Sequence, residues 1–95
     1  MGSLSYEDTL ELQNEFKLHF PEIIRLNTAS LQRLKNDEIT DCLAIVPDGV
    51  LKNNLHFYTH KEDMCINICF GHNILTSISK NNVDTFIKNS GKSTQ

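Results

Sequence analysis

Two histidines, a tyrosine and two cysteines fall close together in the second half of the chain: His56, Tyr58, His60, Cys65 and Cys69. Imidazole beside thiol suits two chemistries. A cysteine can attack while a histidine takes its proton, with a third group such as Asn67 orienting the ring. On that reading the catalytic residues are His56, His60 and Cys65. Histidine nitrogen and cysteine sulfur also bind zinc, but the donors must converge on one point with bonds of roughly 2.0–2.3 Å. Side chains standing on a sheet diverge, and the spacing matches no zinc ribbon or finger. The expectation is no metal and no other cofactor. Catalysis is also poorly supported: nothing places a cysteine at a helix N-terminus, where its pKa would fall, and no oxyanion hole is visible. The same residues make a flat amphipathic surface, with Tyr58 flanked by His56 and His60 and Asn67 opposite. Aromatic surfaces of this kind are enriched at protein interfaces. A binding face is therefore favoured over an enzyme.

The element that must position these residues is the stretch from Leu55 to Ser79. Its period is two. Leu55, Phe57 and Thr59 point one way, and His56, Tyr58 and His60 the other. Met64, Ile66, Ile68 and Phe70 share a face opposite Cys65, Asn67 and Cys69. A connection of even length, at 61–62 or 60–63, unites the two apolar sets on one side. That register sets Tyr58 opposite Cys65 and His56 opposite Asn67. A three-residue turn at Gly71-His72-Asn73 would then bring Ile74, Thr76 and Ile78 onto the same dry face.

Around this meander the chain supplies helices. Ser5 can cap the first, with Glu7 and Asp8 in its opening turn. Tyr6, Leu12, Phe16 and Phe20 form its apolar stripe, and Leu10 and Leu18 lie off it. Pro21 ends this helix or begins the next. From there to Lys35 the stripe is Ile23, Leu26, Leu31 and Leu34; Asn27 and Ser30 intrude on it, so a break at Asn27-Thr28 is the alternative. Residues 41–46 (DCLAIV) read as a strand apolar on both faces and so more central than its neighbours. Pro47-Asp48-Gly49 is a turn signal. Asn81 can cap a final short helix whose inner face is Val83, Phe86 and Ile87. The fold class is α+β: N-terminal helices packed on a four-stranded antiparallel meander, with a short C-terminal helix. Residues 1–95 form a single domain, with 1–4 and 91–95 expected to fray.

Composition excludes several functions. Ninety-five residues with 39% hydrophobic content support one modest core, too small for a deeply enclosed pocket. No apolar run reaches membrane-spanning length, and Met1-Gly2 lacks the Ser or Thr at position 6 of a myristoylation signal. Basic residues are scattered, which argues against nucleic acid. Gly91-Lys92-Ser93 resembles the end of a phosphate loop, but Phe86 stands where that motif needs glycine. Three cysteines, an odd number, read as free thiols in a reducing, cytoplasmic setting.

The net charge of −3 is unevenly spread: residues 1–48 carry nine acids and four bases, residues 49–95 three acids and five bases. The acidic half suits a basic protein partner. The expectation is a small cytoplasmic protein-binding module, in its specific form an inhibitor or immunity-type protein that occludes a basic toxin or nuclease. Its binding residues would be Tyr58, His56, His60 and Asn67 on the sheet and Glu11, Glu15, Asp37 and Glu38 on the acidic half. The alternatives are a small enzyme using the His/Cys/Tyr face and a homodimeric structural subunit.

Overall fold

A computed structural model describes residues 5–47, 51 and 54–91. The order is α1 (Tyr6–Leu26), α2 (Thr28–Lys35), β1 (Asp41–Leu43), β2 (Leu55–Tyr58), β3 (Cys65–Phe70), β4 (Asn73–Ser79), a 3-10 turn (Lys80–Asn82) and α3 (Val83–Gly91). The strands form one antiparallel sheet in the order β1-β2-β3-β4, so the α+β meander expected from the sequence is what forms. Asp48 and Gly49 of the expected turn lie outside the described residues, as do 1–4, 50, 52–53 and 92–95.

Ser5 caps α1 as expected, its Oγ accepting the Asp8 N–H at 3.1 Å. The helix then runs straight through Pro21 instead of ending there. Proline removes one helical donor, but Pro21 is exposed and core residues anchor the helix on both sides of it: Leu12 and Phe16 before, Ile23 and Ile24 after. Tyr6, expected on the stripe, is exposed because the core begins a turn and a half later, at Leu12. Leu10 and Leu18 are exposed too, as their off-stripe positions imply.

The break comes at Asn27. Its side chain, buried among apolar neighbours, donates from Nδ2 to the carbonyls of Ile23 and Ile45, both at 2.7 Å. Its Oδ1 accepts the Ile45 N–H at 2.8 Å. A side-chain amide thus pairs with a backbone amide as a strand would, which fastens the exit of β1 to the α1–α2 corner.

β1 is consequently short and lies at the edge, not centrally. Asp41 and Leu43 are exposed, and only Cys42 turns inward. Residues 41–46 are apolar on both sides for a different reason: past Leu43 the chain leaves the ladder for Asn27.

The β2–β3 connection preserves the expected parity but not the register. Tyr58 pairs with Asn67 and His56 with Cys69, two residues further along than the even-loop pairing. A shift of two keeps every side chain on its face, so Phe57 still opposes Ile68 within the core. At β3–β4 the turn has two residues, not three: Phe70 pairs with Asn73. Gly71 alone supplies the left-handed conformation, at φ 58°, in the first central position where a two-residue hairpin turn needs it. A two-residue turn would send Thr76 and Ile78 outward, but the register shifts between Ile68 and Cys69, a bulge that takes up one extra residue of β4. Beyond it Thr76 opposes Ile68 and Ile78 opposes Ile66 on the core side. Ile74, before the bulge, opposes Cys69 and faces out, while Leu75 packs against the core.

The helices cover one face of the sheet. Ile23, Ile24, Leu31 and Leu34 meet Leu55, Phe57, Ile66 and Ile68, with Val83 of α3 and half-buried Phe86 and Ile87 closing the side. Ser79, not Asn81, is the cap before α3: its Oγ accepts the Asn81 N–H at 3.2 Å and starts the 3-10 turn.

Replacing Asn27 by alanine removes its two bonds to the part-buried Ile45 N–H and C=O, which costs about 1–3 kcal/mol. Urea denaturation of Asn27→Ala should show that loss, whereas Asn36→Ala, at the exposed end of α2, should change stability by less than about 0.5 kcal/mol.

Candidate functional site

Among the described residues one sheet face is free of helices, and the register arranges it in two cross-strand rows. The first row is Asp41, Tyr58, Asn67 and Ser77; the second is Leu43, His56, Cys69 and Ile74. His60 lies just beyond the end of β2 and meets Tyr58 edge-on, with Tyr58 Oη and His60 Nε2 2.6 Å apart. In the first row Ser77 donates to Asn67 Oδ1 at 2.6 Å. The second row is apolar at both ends: Leu43 is 62% and Ile74 61% exposed. Between them Cys69 is only 7% exposed. A shallow concavity of about 370 Å³ lies on this face, among Asp41, Leu43, His56, Tyr58 and Gly71.

His56, Tyr58, His60 and Asn67 therefore share one surface. Cys65 is set apart from His56, while the β2–β3 pairing continued two residues past Tyr58 and Asn67 brings it level with His60. It stands exposed at the start of β3 opposite Ser79, and the thiol facing His56 belongs to Cys69. Burial pushes the Cys69 thiol above its usual pKa. Burial also raises that of Cys42, with Asp41 adding to the effect and a hydrogen bond from Ser30 opposing it. Both therefore stay protonated at neutral pH, opposite to what a nucleophile needs. All three cysteines are free thiols. Among the described residues no group of three or more His, Cys, Asp or Glu side chains gathers as metal ligands.

The acidic candidates are dispersed. Glu11 is exposed on α1; Glu15, one turn on, lies 3.4 Å from His19 Nε2. Glu38 is exposed beyond α2. Asp37 has a structural role. Its N–H reaches the Leu34 carbonyl at 3.2 Å and the Glu38 N–H reaches that of Arg33 at 2.9 Å, a Schellman termination in which Asp37 holds φ 64° where glycine is usual. Its Oδ1 accepts a 2.7 Å bond from Lys80 Nζ, which also donates to the His60 carbonyl at 2.9 Å. Lys80 is buried, so this contact ties the helix end to the tip of the β2–β3 connection.

Sequence reasoning missed Leu43 and Ile74 as surface residues and Lys80 as a buried one. The two-residue spacing of Leu43 from Asp41 was a usable signal for Leu43. None existed for Ile74, whose direction depends on the bulge, or for Lys80, whose partner lies 43 residues away. A second concavity of about 350 Å³ runs between α1, β4 and α3, lined by Phe16, Phe20, Leu75 and Phe86 with Lys17 at its side. Among the described residues no helix is long and apolar enough to cross a membrane.

The chain matches no family model, no curated protein and no solved structure. Its use must be argued from its own geometry.

Asp37→Gly should destabilise the fold although glycine suits φ 64° better, because buried Lys80 loses its counter-ion. A chemical melt showing Asp37→Gly as stable as the parent would relegate the ion pair to a minor role. In thiol labelling of the native protein, exposed Cys65 should react first and Cys69 last. Because the folded pKa values of Cys42 and Cys69 are raised, their contribution to stability is complete below the unfolded thiol pKa. It declines as pH rises from about 8.5 through the folded values. Melting curves between neutral pH and about pH 10 should fall accordingly, and less steeply for Cys42→Ala.

Proposed function

We infer that the protein is a non-catalytic binding module and that the uncovered sheet face is the surface it presents to another protein chain. One observation carries this reading. Leu43 and Ile74 stand more than half exposed at the two ends of a row on a sheet whose other face is fully packed. Tyr58, His56 and Asn67 lie between and beside them, a mixture of aromatic, apolar and hydrogen-bonding groups typical of an interface centre. The three free thiols suit a reducing, cytoplasmic setting.

In the inhibitory form of this reading, the acidic helices draw in a basic toxin or nuclease and the module occludes it. Glu11 and Glu38 support that form best, because Glu15 and Asp37 already have partners in His19 and Lys80. The enzymatic alternative has less support: Cys65 is separated from His56 in register, and the thiol that does face His56 is held protonated.

Affinity capture should separate these readings. The tagged wild-type chain should retain a stoichiometric protein that Leu43→Lys and Ile74→Lys lose, with unchanged melting temperatures, since both sites are exposed. Reversing Glu11 and Glu38 should slow association and flatten its salt dependence if the partner is basic. Capture indifferent to both face variants, or no capture of any protein including the chain itself, overturns the reading.

A further inference from the structure

The occupant of the open face follows from its row order, on the premise that this face is the working surface. We propose that the protein self-associates through it as a two-fold dimer, each sheet covering the other, with the axis along the strands between β2 and β3. Such an axis keeps every residue at its own level and exchanges left for right. β1 then lies over β4 of the second copy, and β2 over β3. In the row Leu43–His56–Cys69–Ile74, Leu43 falls over the partner's Ile74, and His56 over the partner's Cys69. In the row Asp41–Tyr58–Asn67–Ser77, Tyr58 falls over the partner's Asn67, and Asp41 over the partner's Ser77.

Both rows are self-complementary under that operation. The two exposed apolar ends meet each other, so neither Leu43 nor Ile74 remains in water. At the centre a large ring faces a smaller side chain each time, as interdigitating layers require. Charge agrees. Asp41 is the one Asp, Glu, Lys or Arg side chain in the two rows, and it sits at the rim over a hydroxyl, not over its own copy. No like charges are opposed, whereas the acidic residues Glu7, Asp8, Glu11, Glu15 and Glu22 all lie on α1, across the core from this face. A two-fold contact needs one patch that complements itself, and the sheet face meets that requirement.

Size sets the strength. Strands about 4.8 Å apart with roughly 3.4 Å per residue give a footprint of about 330 Å² per copy, roughly 650 Å² over both. That is below the standard size of a stable interface and suits a weak, transient dimer.

The test is sedimentation velocity on the full chain from about 1 µM to about 1 mM, the range in which a weak dimer forms. The wild type should pass from monomer to dimer. Leu43→Lys and Ile74→Glu should each weaken association by about tenfold or more. The double variant should restore it, because each introduced ammonium then lies over the partner's introduced carboxylate, twice per dimer. Within one chain the two positions are three strands apart and cannot pair, so restoration reports the two-fold arrangement alone. Circular dichroism should confirm that all variants fold. The dimer is overturned by a wild type monomeric throughout, by single variants that associate normally, or by a double variant that stays monomeric. If the dimer fails in any of these ways while Leu43→Lys still abolishes capture of a different protein, the binding-module reading stands with another occupant. If neither association nor capture depends on the face, both readings fall.

Discussion

The structure depends on the amide of Asn27. One buried side chain interrupts the long helical run, turns α2 back over the sheet and receives the backbone of Ile45 as it leaves β1. Together its bonds satisfy an amide that burial would otherwise penalise by about 1–3 kcal/mol. The consequences spread outward from there. The helical lid divides into two segments that place Ile23 and Ile24 on one side of the corner and Leu31 and Leu34 on the other, all fully buried. β1 is diverted after three residues, and Leu43, which a longer central strand would have covered, is left at the margin.

Much of this architecture was legible because it follows from periodicity. Alternation in LHFY and CINICF marks the strands, and a two-residue slide of register leaves each face unchanged, so the dry side of the sheet was readable even though its pairing was not. The break at Asn27 was half legible: a polar residue inside an apolar stripe signals either an error in the stripe or a buried role, and its partner at Ile45 is invisible to local reasoning. What periodicity could not supply was the bulge. Ile74 and Leu75 are both apolar, and only the pairing geometry decides which turns inward.

The candidate site was legible to the same depth. His56, Tyr58, His60 and Asn67 could be placed on one face from their spacing alone. Cys65 could not be separated from His56 without the true register, nor could Cys69 be assigned to it. Asp37 looked like a free surface acid because its left-handed conformation and its bond to Lys80 are tertiary facts. Residue type suggested chemistry at these positions; burial and partners show that several of them serve the fold.

The edges of the sheet support the choice of its open face as the surface proposed for association. An exposed strand edge invites pairing with another chain. At β1 the Ala44 N–H bonds inward to the Leu55 carbonyl, at 2.9 Å, so the amide groups of Ile45 point outward, where an incoming strand would dock. Asn27 occupies both of them. At the other edge the bulge beside Leu75 breaks the regular spacing of β4 and blunts it in the way natural sheets do. With the β1 edge ended at Ile45 by a side chain and the β4 edge bent, the room for regular growth by added strands is confined to the three residues of β1. Apolar surface still exposed on the face, at Leu43 and Ile74, can leave water by stacking against another surface. The amide that ends β1 therefore also limits where a second strand can pair with this sheet.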